Sequence, residues 1–188
     1  NPNEINTMEK DIEKAKGNVL TFGLGLGYFQ FMAALKDEVQ EVTIIEKDPN
    51  IISIFKQFLL PFFPYKNKIK IIQDDAFKFM ENKFKNEYDF VYVDIWHTPN
   101  DGVLSFIKFK NYEKKYNSKF NYWLEPSLIQ NIRRAFITIL EEYFDKDEKF
   151  SLAEYCKNSF SVYQEEPIDI TLEFDKTVAD DVLNYHFH

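Results

Sequence analysis

Short apolar runs alternate with helical patterns through the first half of the chain. The run "NVLTFG", Asn18 to Gly23, reads as a buried strand, and after closely spaced glycines a helix is expected from about Tyr28 to Leu35. "EVTIIE", Glu41 to Glu46, is a second, β-branched strand. Asp48 and Pro49 then predict a helix start, with an acid at the N-cap and proline at the first helical position. That helix carries Ile51, Ile52, Phe55, Phe58 and Leu59 on one face, and Pro61 stops it. "KIKIIQ", Lys68 to Gln73, is a third strand, Ala76 to Glu81 a short helix, and "YDFVYVDIW", Tyr88 to Trp96, a fourth strand.

Strand–helix alternation of this kind predicts a parallel sheet with right-handed crossovers. The near-continuous apolar strands agree, because parallel strands are covered on both faces. The expected class is therefore α/β, a Rossmann-like, doubly wound and mostly parallel sheet. In the second half "FNYWLE", Phe120 to Glu125, is a candidate fifth strand, and Pro126 begins a long helix through Phe144. Ser151 and Glu154 suggest a capping box, Ile168 to Phe174 alternates like a strand, and Val178 to Tyr185 looks helical. A mainly helical tail is expected over 145–188, behind a motif-bearing core at 18–144, all within one domain, 1–188.

The 188 residues suffice for one real core. A formal charge of −8 argues against nucleic acid, since phosphate neutralisation needs a basic face, and a cationic substrate, or none in particular, fits better. Cys156 is the only cysteine, so neither a disulfide framework nor a thiolate metal cluster is expected, and a reducing, cytoplasmic setting follows. No apolar run reaches membrane-spanning length and no signal-peptide pattern opens the chain. The first residue is Asn1 rather than methionine, which leaves room for residues upstream.

Three of the five glycines, Gly23, Gly25 and Gly27, stand at alternate positions between the first strand and its helix. Such a turn lets backbone N–H groups approach a ligand, although packing alone also explains a tight turn. Glu46 ends the second strand 19 residues after Gly27, where a carboxylate can accept both hydrogen bonds of a ribose diol. A dinucleotide fold uses an acid at similar distance. Two features separate the alternatives: the spacing is G-x-G-x-G, and a further acid pair, Asp74 and Asp75, ends the third strand. An acid there can accept from an adenine amine, so three consecutive strand ends match an adenosine cofactor with a charged tail.

On the pieces "VLTFGLGLG", "VTIIEKD", "IIQDDAF" and "YDFVYVDIW", residues 18–97 resemble the class I S-adenosylmethionine-dependent methyltransferases, especially their spermidine-synthase-like branch. The resemblance implies a seven-stranded-type α/β fold with S-adenosylmethionine as cofactor. It places Gly23, Gly25 and Gly27 under the methionine part, Glu46 on the ribose, Asp75 by the adenine, and Phe77 near the base through its N–H or its ring. Two positions depart from the family pattern. Thr21 stands where many members carry an acid that helps hold the cofactor's amino group. Leu26 stands where spermidine synthases carry an aspartate that contacts the amine-bearing tail. Aminopropyl transfer is accordingly the weaker of the two chemistries.

The fourth strand ends in "DIWHTPNDG", which sets Asp94, Trp96 and His97 within four residues beside the expected reactive end of the cofactor. Methyl transfer requires an aligned nucleophile, a base where the nucleophile carries a proton, and exclusion of water. His97 is the candidate base and Asp94 the candidate orienting carboxylate, with Trp96 as an aromatic wall for a cationic group. The alternatives are a loop histidine, a helix cap and a packing anchor. Asp101-Gly102 reads as turn chemistry. Tyr122, Trp123 and Glu125 are further acceptors or core, and His186 with His188 are two potential chelators in a terminal segment, too few for a convincing metal site. The leading expectation is a methyltransferase for a small molecule or amine. An aminopropyltransferase and a non-catalytic binding module of the same fold are the alternatives.

Overall fold

The computed structural model of the protein describes residues 2–144. Its element order is α1 (Pro2–Lys14), β1 (Gly17–Phe22), α2 (Tyr28–Ala34), β2 (Val39–Glu46), α3 (Pro49–Ile54), β3 (Ile69–Gln73), α4 (Ala76–Asn82), β4 (Phe90–Val93), α5 (Pro99–Glu113), β5 (Lys119–Tyr122) and α6 (Glu125–Phe144). The five strands form one sheet in the order β3-β2-β1-β4-β5, and every pairing is parallel. This is the Rossmann-like, doubly wound, parallel arrangement that the strand–helix alternation predicts. The chain reverses direction across the sheet between β1 and β4, so their carboxyl ends flank the switch-point crevice.

Helices cover both faces. Phe22 of β1 points to one side, where its ring meets Phe79 of α4 at 6.0 Å and Phe109 of α5 at 5.0 Å. Tyr92 of β4 points to the other and stacks on Phe29 of α2 at 3.9 Å, nearly coplanar. From Val19 to Phe22 and from Phe90 to Val93 every residue is buried, the pattern of central parallel strands. The β1–β4 seam carries its own latch. Asn18 N–H donates to Asp89 Oδ2 at 2.8 Å, and Gly17, at φ 64°, leaves room for that carboxylate.

Three local differences from the sequence reading have physical causes. After Ile54 the third helix continues as a π-helical turn, Phe55–Leu59, followed by a 3-10 turn at Leu60–Phe62. The wider turn shifts the helical phase, so Ile52 and Phe55 are buried while Phe58 is 57% exposed. Asp101 and Gly102 do not form a turn but lie inside α5. Thr98 caps that helix, Pro99 stands in its first turn, and Asp101 completes a capping box. The fourth strand is shorter than Tyr88 to Trp96, because the chain leaves the ladder after Val93. The expected elements at Ser151–Glu154, Ile168–Phe174 and Val178–Tyr185 lie outside the described residues, as do Cys156, His186 and His188.

Candidate functional site

The glycine turn is built by constraint at its two ends and space in the middle. Gly23, Gly25 and Gly27 all adopt positive φ, at 91°, 51° and 76°. A Cβ on Gly23 would collide with the Asp94 carbonyl oxygen, and one on Gly27 with the Phe55 ring, whereas one on Gly25 would meet nothing within 4 Å. Two of the three therefore serve close approach, and Gly25 stands open. The N–H groups of Gly23, Leu24 and Gly27 donate to Ile45 O, Glu46 Oε2 and Leu24 O. Those of Gly25 and Leu26 take no acceptor among the described residues.

Glu46 is buried and accepts from Leu24 N–H at 3.0 Å through one oxygen and from Asp48 N–H at 2.8 Å through the other. It ties the glycine turn to the start of α3. Each oxygen keeps a further lone pair. Asp75 is the N-cap of α4 and accepts from Phe77 and Lys78 N–H, both on Oδ1 at 3.0 Å. The Phe77 N–H is thus spent on the cap, while its ring lies 5.3 Å from Phe109 with Lys108 Nζ 4.3 Å from its centroid. Asp74 pairs with Lys83 at 2.8 Å, and that hydrogen bond holds its carboxyl below the ordinary value.

Thr21, the first departure from the family pattern, is fully buried. Its hydroxyl accepts from Gln30 Nε2 at 3.2 Å, and the same amide donates to Gly23 O at 2.9 Å. Gln30 thus braces the turn from α2. Leu26, the second departure, is 82% exposed at the tip.

Between this turn and the end of β4 lies a cavity of about 590 Å³. Gly25, Leu26 and Gly27 line it together with Asp94, Trp96 and His97, so the structure brings the glycine turn and the candidate reaction segment to one space. Glu46, Asp75 and Phe77 are not in its wall. Gln30, Phe31 and Phe63 form another side, and α1 contributes Ile5 and Met8. Trp96 is buried, and its indole packs so close to Gly102 that a Cβ there would stand 2.7 Å from the ring. His97 is exposed, and its N–H donates to Asp101 Oδ2 at 3.0 Å. The Asp101 carboxylate also takes Thr98 N–H at 2.6 Å. Desolvation raises its pKa, but the bonds from Thr98 and His97 outweigh it and hold the group below its ordinary 3.8.

Sequence reasoning missed α1 altogether. Its signal is the spacing of Ile5, Met8 and Ile12, one narrow apolar stripe in a polar segment. The helix is fastened at its end by Lys36, whose ammonium donates to Ile12 O, Glu13 O and Ala15 O at 2.9, 2.5 and 2.7 Å. Of the second-tier candidates, Trp123 lines the cavity, Tyr122 donates to Glu113 at 2.9 Å, and Glu125 pairs with Lys110 at 2.9 Å. Among the described residues no group of three or more His, Cys, Asp and Glu is placed to hold a metal ion, and no helix is long and apolar enough to cross a membrane.

A profile of the spermine/spermidine synthase domain matches residues 13–145, from the end of α1 through α6. The chain belongs to the spermine/spermidine synthase domain family. No curated protein matches it significantly. Among solved structures this family member is similar to a candidate transferase of Pyrococcus horikoshii, at 15% identity and TM-score 0.47 over 64% of this chain and 44% of that one. It is also similar to a candidate O-methyltransferase of Klebsiella pneumoniae, at 14% identity and TM-score 0.41 over 56% and 47%. With the spermidine synthase of Thermotoga maritima the values are 23% and 0.37 over 45% and 30%. The chain spans less than half the length of each of these proteins.

Proposed function

We propose that this family member is an S-adenosylmethionine-dependent methyltransferase acting on a small molecule. The observation that carries the reading is the cavity shared by the open glycine turn and the Asp94–His97 segment. The residues present fit the cofactor. Gly25 leaves open space where any other residue would place a Cβ, and the Gly25 and Leu26 N–H groups offer two donors for a carboxylate. Glu46 would meet the ribose with its remaining lone pairs, and Asp75 Oδ2, outside the cap, would meet the adenine amine. When bound, the cofactor supplies an electrophilic methyl carbon on a sulfonium.

The protein's own contribution is orientation and proton handling. Asp94 holds the acceptor by charge, Trp96 and the apolar wall exclude water, and the His97 imidazole receives the proton the acceptor gives up. Asp101, by fixing the His97 backbone, sets that imidazole at the cavity rim.

Aminopropyl transfer is the second reading, favoured by the family match itself. Against it, Leu26 occupies the place of the amine-binding aspartate, and Asp94 is the only carboxylate in the cavity wall among the described residues. Thermal shift with S-adenosylmethionine, its demethylated product, decarboxylated S-adenosylmethionine and NAD separates these. A ligand at a hundredfold excess over Kd stabilises by about 2.7 kcal/mol. Stabilisation by the first two supports methyl transfer, preference for the decarboxylated form replaces it with aminopropyl transfer, and indifference to all three sulfonium-related ligands removes both. Binding without transfer of isotopic methyl to a broad pool of small molecules would leave a non-catalytic binding module.

A further inference from the structure

The segment that joins β2 to β3 differs from the rest of the chain in charge and in surface. Between Lys47 and Lys70 stand five lysines and one aspartate, in a protein whose formal charge is −8. Lys47, Lys56, Lys66 and Lys70 are exposed and form no ion pair among the described residues, while Lys68 donates to the Lys36 carbonyl at 2.9 Å. Ile54, Phe58 and Phe62 follow one another at intervals of four, which sets them on one side of a helical segment. They are 55%, 57% and 81% exposed. Packing falls to the other side, where Phe55 meets Phe63 at 5.2 Å and Phe63 meets Phe31 of α2 at 4.8 Å. Phe63 lines the cavity, as does the equally exposed Leu26. The outward apolar stripe therefore stands beside the cavity.

Three kinds of partner fit an exposed apolar stripe, and charge separates them. A second copy docking by the same patch would bring one set of lysines against another, and like charges oppose that. Nucleic acid suits the lysines, but single strands lie in basic grooves with their bases stacked on aromatic rings. This stripe is the outer side of a helical segment and begins with an aliphatic residue. A lipid surface with anionic headgroups takes both parts at once, because apolar side chains enter the headgroup–acyl boundary while lysines meet the phosphates. We propose that this segment docks the protein on an anionic lipid surface, with Ile54, Phe58 and Phe62 inserted. Lys56 and Lys66, the lysines nearest the stripe in sequence, lie on the headgroups. The docking is peripheral, sets the cavity next to the lipid, and is independent of the methyl-transfer reading.

The full chain is sedimented with vesicles of phosphatidylcholine and with vesicles of equal parts phosphatidylcholine and phosphatidylglycerol. Binding to the anionic vesicles alone, weakened by salt, is expected. Phe58→Ser with Phe62→Ser, and separately Lys56→Glu with Lys66→Glu, are each expected to lower partitioning at least about tenfold. Lys85→Glu with Lys114→Glu makes the same change of charge on exposed lysines outside the segment and should alter partitioning by less than about twofold. All the substituted side chains are exposed, so circular-dichroism melts of the variants should match the wild type. Should the phenylalanine pair fail to fold, the lysine pairs decide. No binding to anionic vesicles, equal binding to both kinds, or equal losses in the two lysine pairs overturns the proposal. A phenylalanine pair that folds and partitions like the wild type overturns it as well. Without vesicle binding, a dimer that the phenylalanine pair disperses, seen by light scattering, replaces the lipid with a second copy. A single-stranded RNA oligonucleotide bound instead of vesicles replaces it with nucleic acid.

Discussion

Glu46 and Asp75, at the ends of β2 and β3, spend carboxylate oxygens on backbone N–H groups of the segments that follow, whereas Asp94, at the end of β4, lines the cavity. All three stand at carboxyl ends of strands of one doubly wound sheet, the place where such folds bind ligands. The first two hold the architecture of the crevice before any ligand arrives, and any role they have with a ligand is added to that. An acid at a strand end is thus not evidence for a ligand until its hydrogen bonds have been counted.

The glycine turn offers the hardest break. Gly23→Ala forces a Cβ onto the Asp94 carbonyl oxygen at φ 91° and so wedges β1 from β4. It is expected to cost more than about 3 kcal/mol, read by chemical denaturation. Gly25→Ala meets no atom and pays only left-handed strain, roughly 1–2 kcal/mol, yet should abolish the thermal shift with S-adenosylhomocysteine. Equal losses of stability in the two variants would refute the division between packing and open glycines.

Glu46→Gln places an amide N–H₂ against a backbone donor. It should destabilise the ligand-free protein by about 1.5–3 kcal/mol, read by chemical denaturation. Asp75→Ala removes the α4 cap for about 1 kcal/mol, while Asp75→Asn keeps the cap and stability. Weakened adenosine binding in Asp75→Asn, measured by calorimetry, would show that the cap also meets the base.

The smallest effect is in pH. The Asp101 pKa is lowered on folding, so its contribution is present above the unfolded value near 3.8 and is lost as pH falls through the lower folded value. Wild type should therefore lose thermal stability below about pH 4 more steeply than Asp101→Asn, in matched melts.

Much of this was legible in the sequence, and the gaps have causes. The apolar strands and the Asp48-Pro49 start are local signals, and the structure has β1, β2, β3, α3 and β5 where those signals lie. The glycine turn and Asp94 could be assigned to one crevice because a doubly wound sheet gathers its ligand site at the carboxyl ends of its strands. The N-terminal helix was hidden because three apolar residues in a polar segment form a stripe too narrow to separate from a loop. At α5 the signal was present in Thr98, Pro99 and Asp101, but Asp101-Gly102 is also a turn dipeptide, and only the helix that follows decides between them. The bracing of Thr21 by Gln30 depends on two side chains meeting across β1 and α2, which no local pattern reports. The charge argument also needs relocating. Residues 145–188 carry 11 of the 31 acidic side chains and 4 of the 23 lysines and arginines. The excess negative charge therefore lies mostly in that segment and says little about the cavity.

The latch between Asn18 and Asp89 has a kinetic consequence. It joins residues 71 apart in sequence, and the β1–β4 seam it closes lies at the centre of the sheet. The β1–β2–β3 pairings need far shorter loops, and a closing loop loses more entropy the longer it is. Refolding followed by pulsed hydrogen exchange should therefore protect β2 before β4. The crevice, which exists only once β1 and β4 are side by side, would then be among the last parts of the molecule to appear.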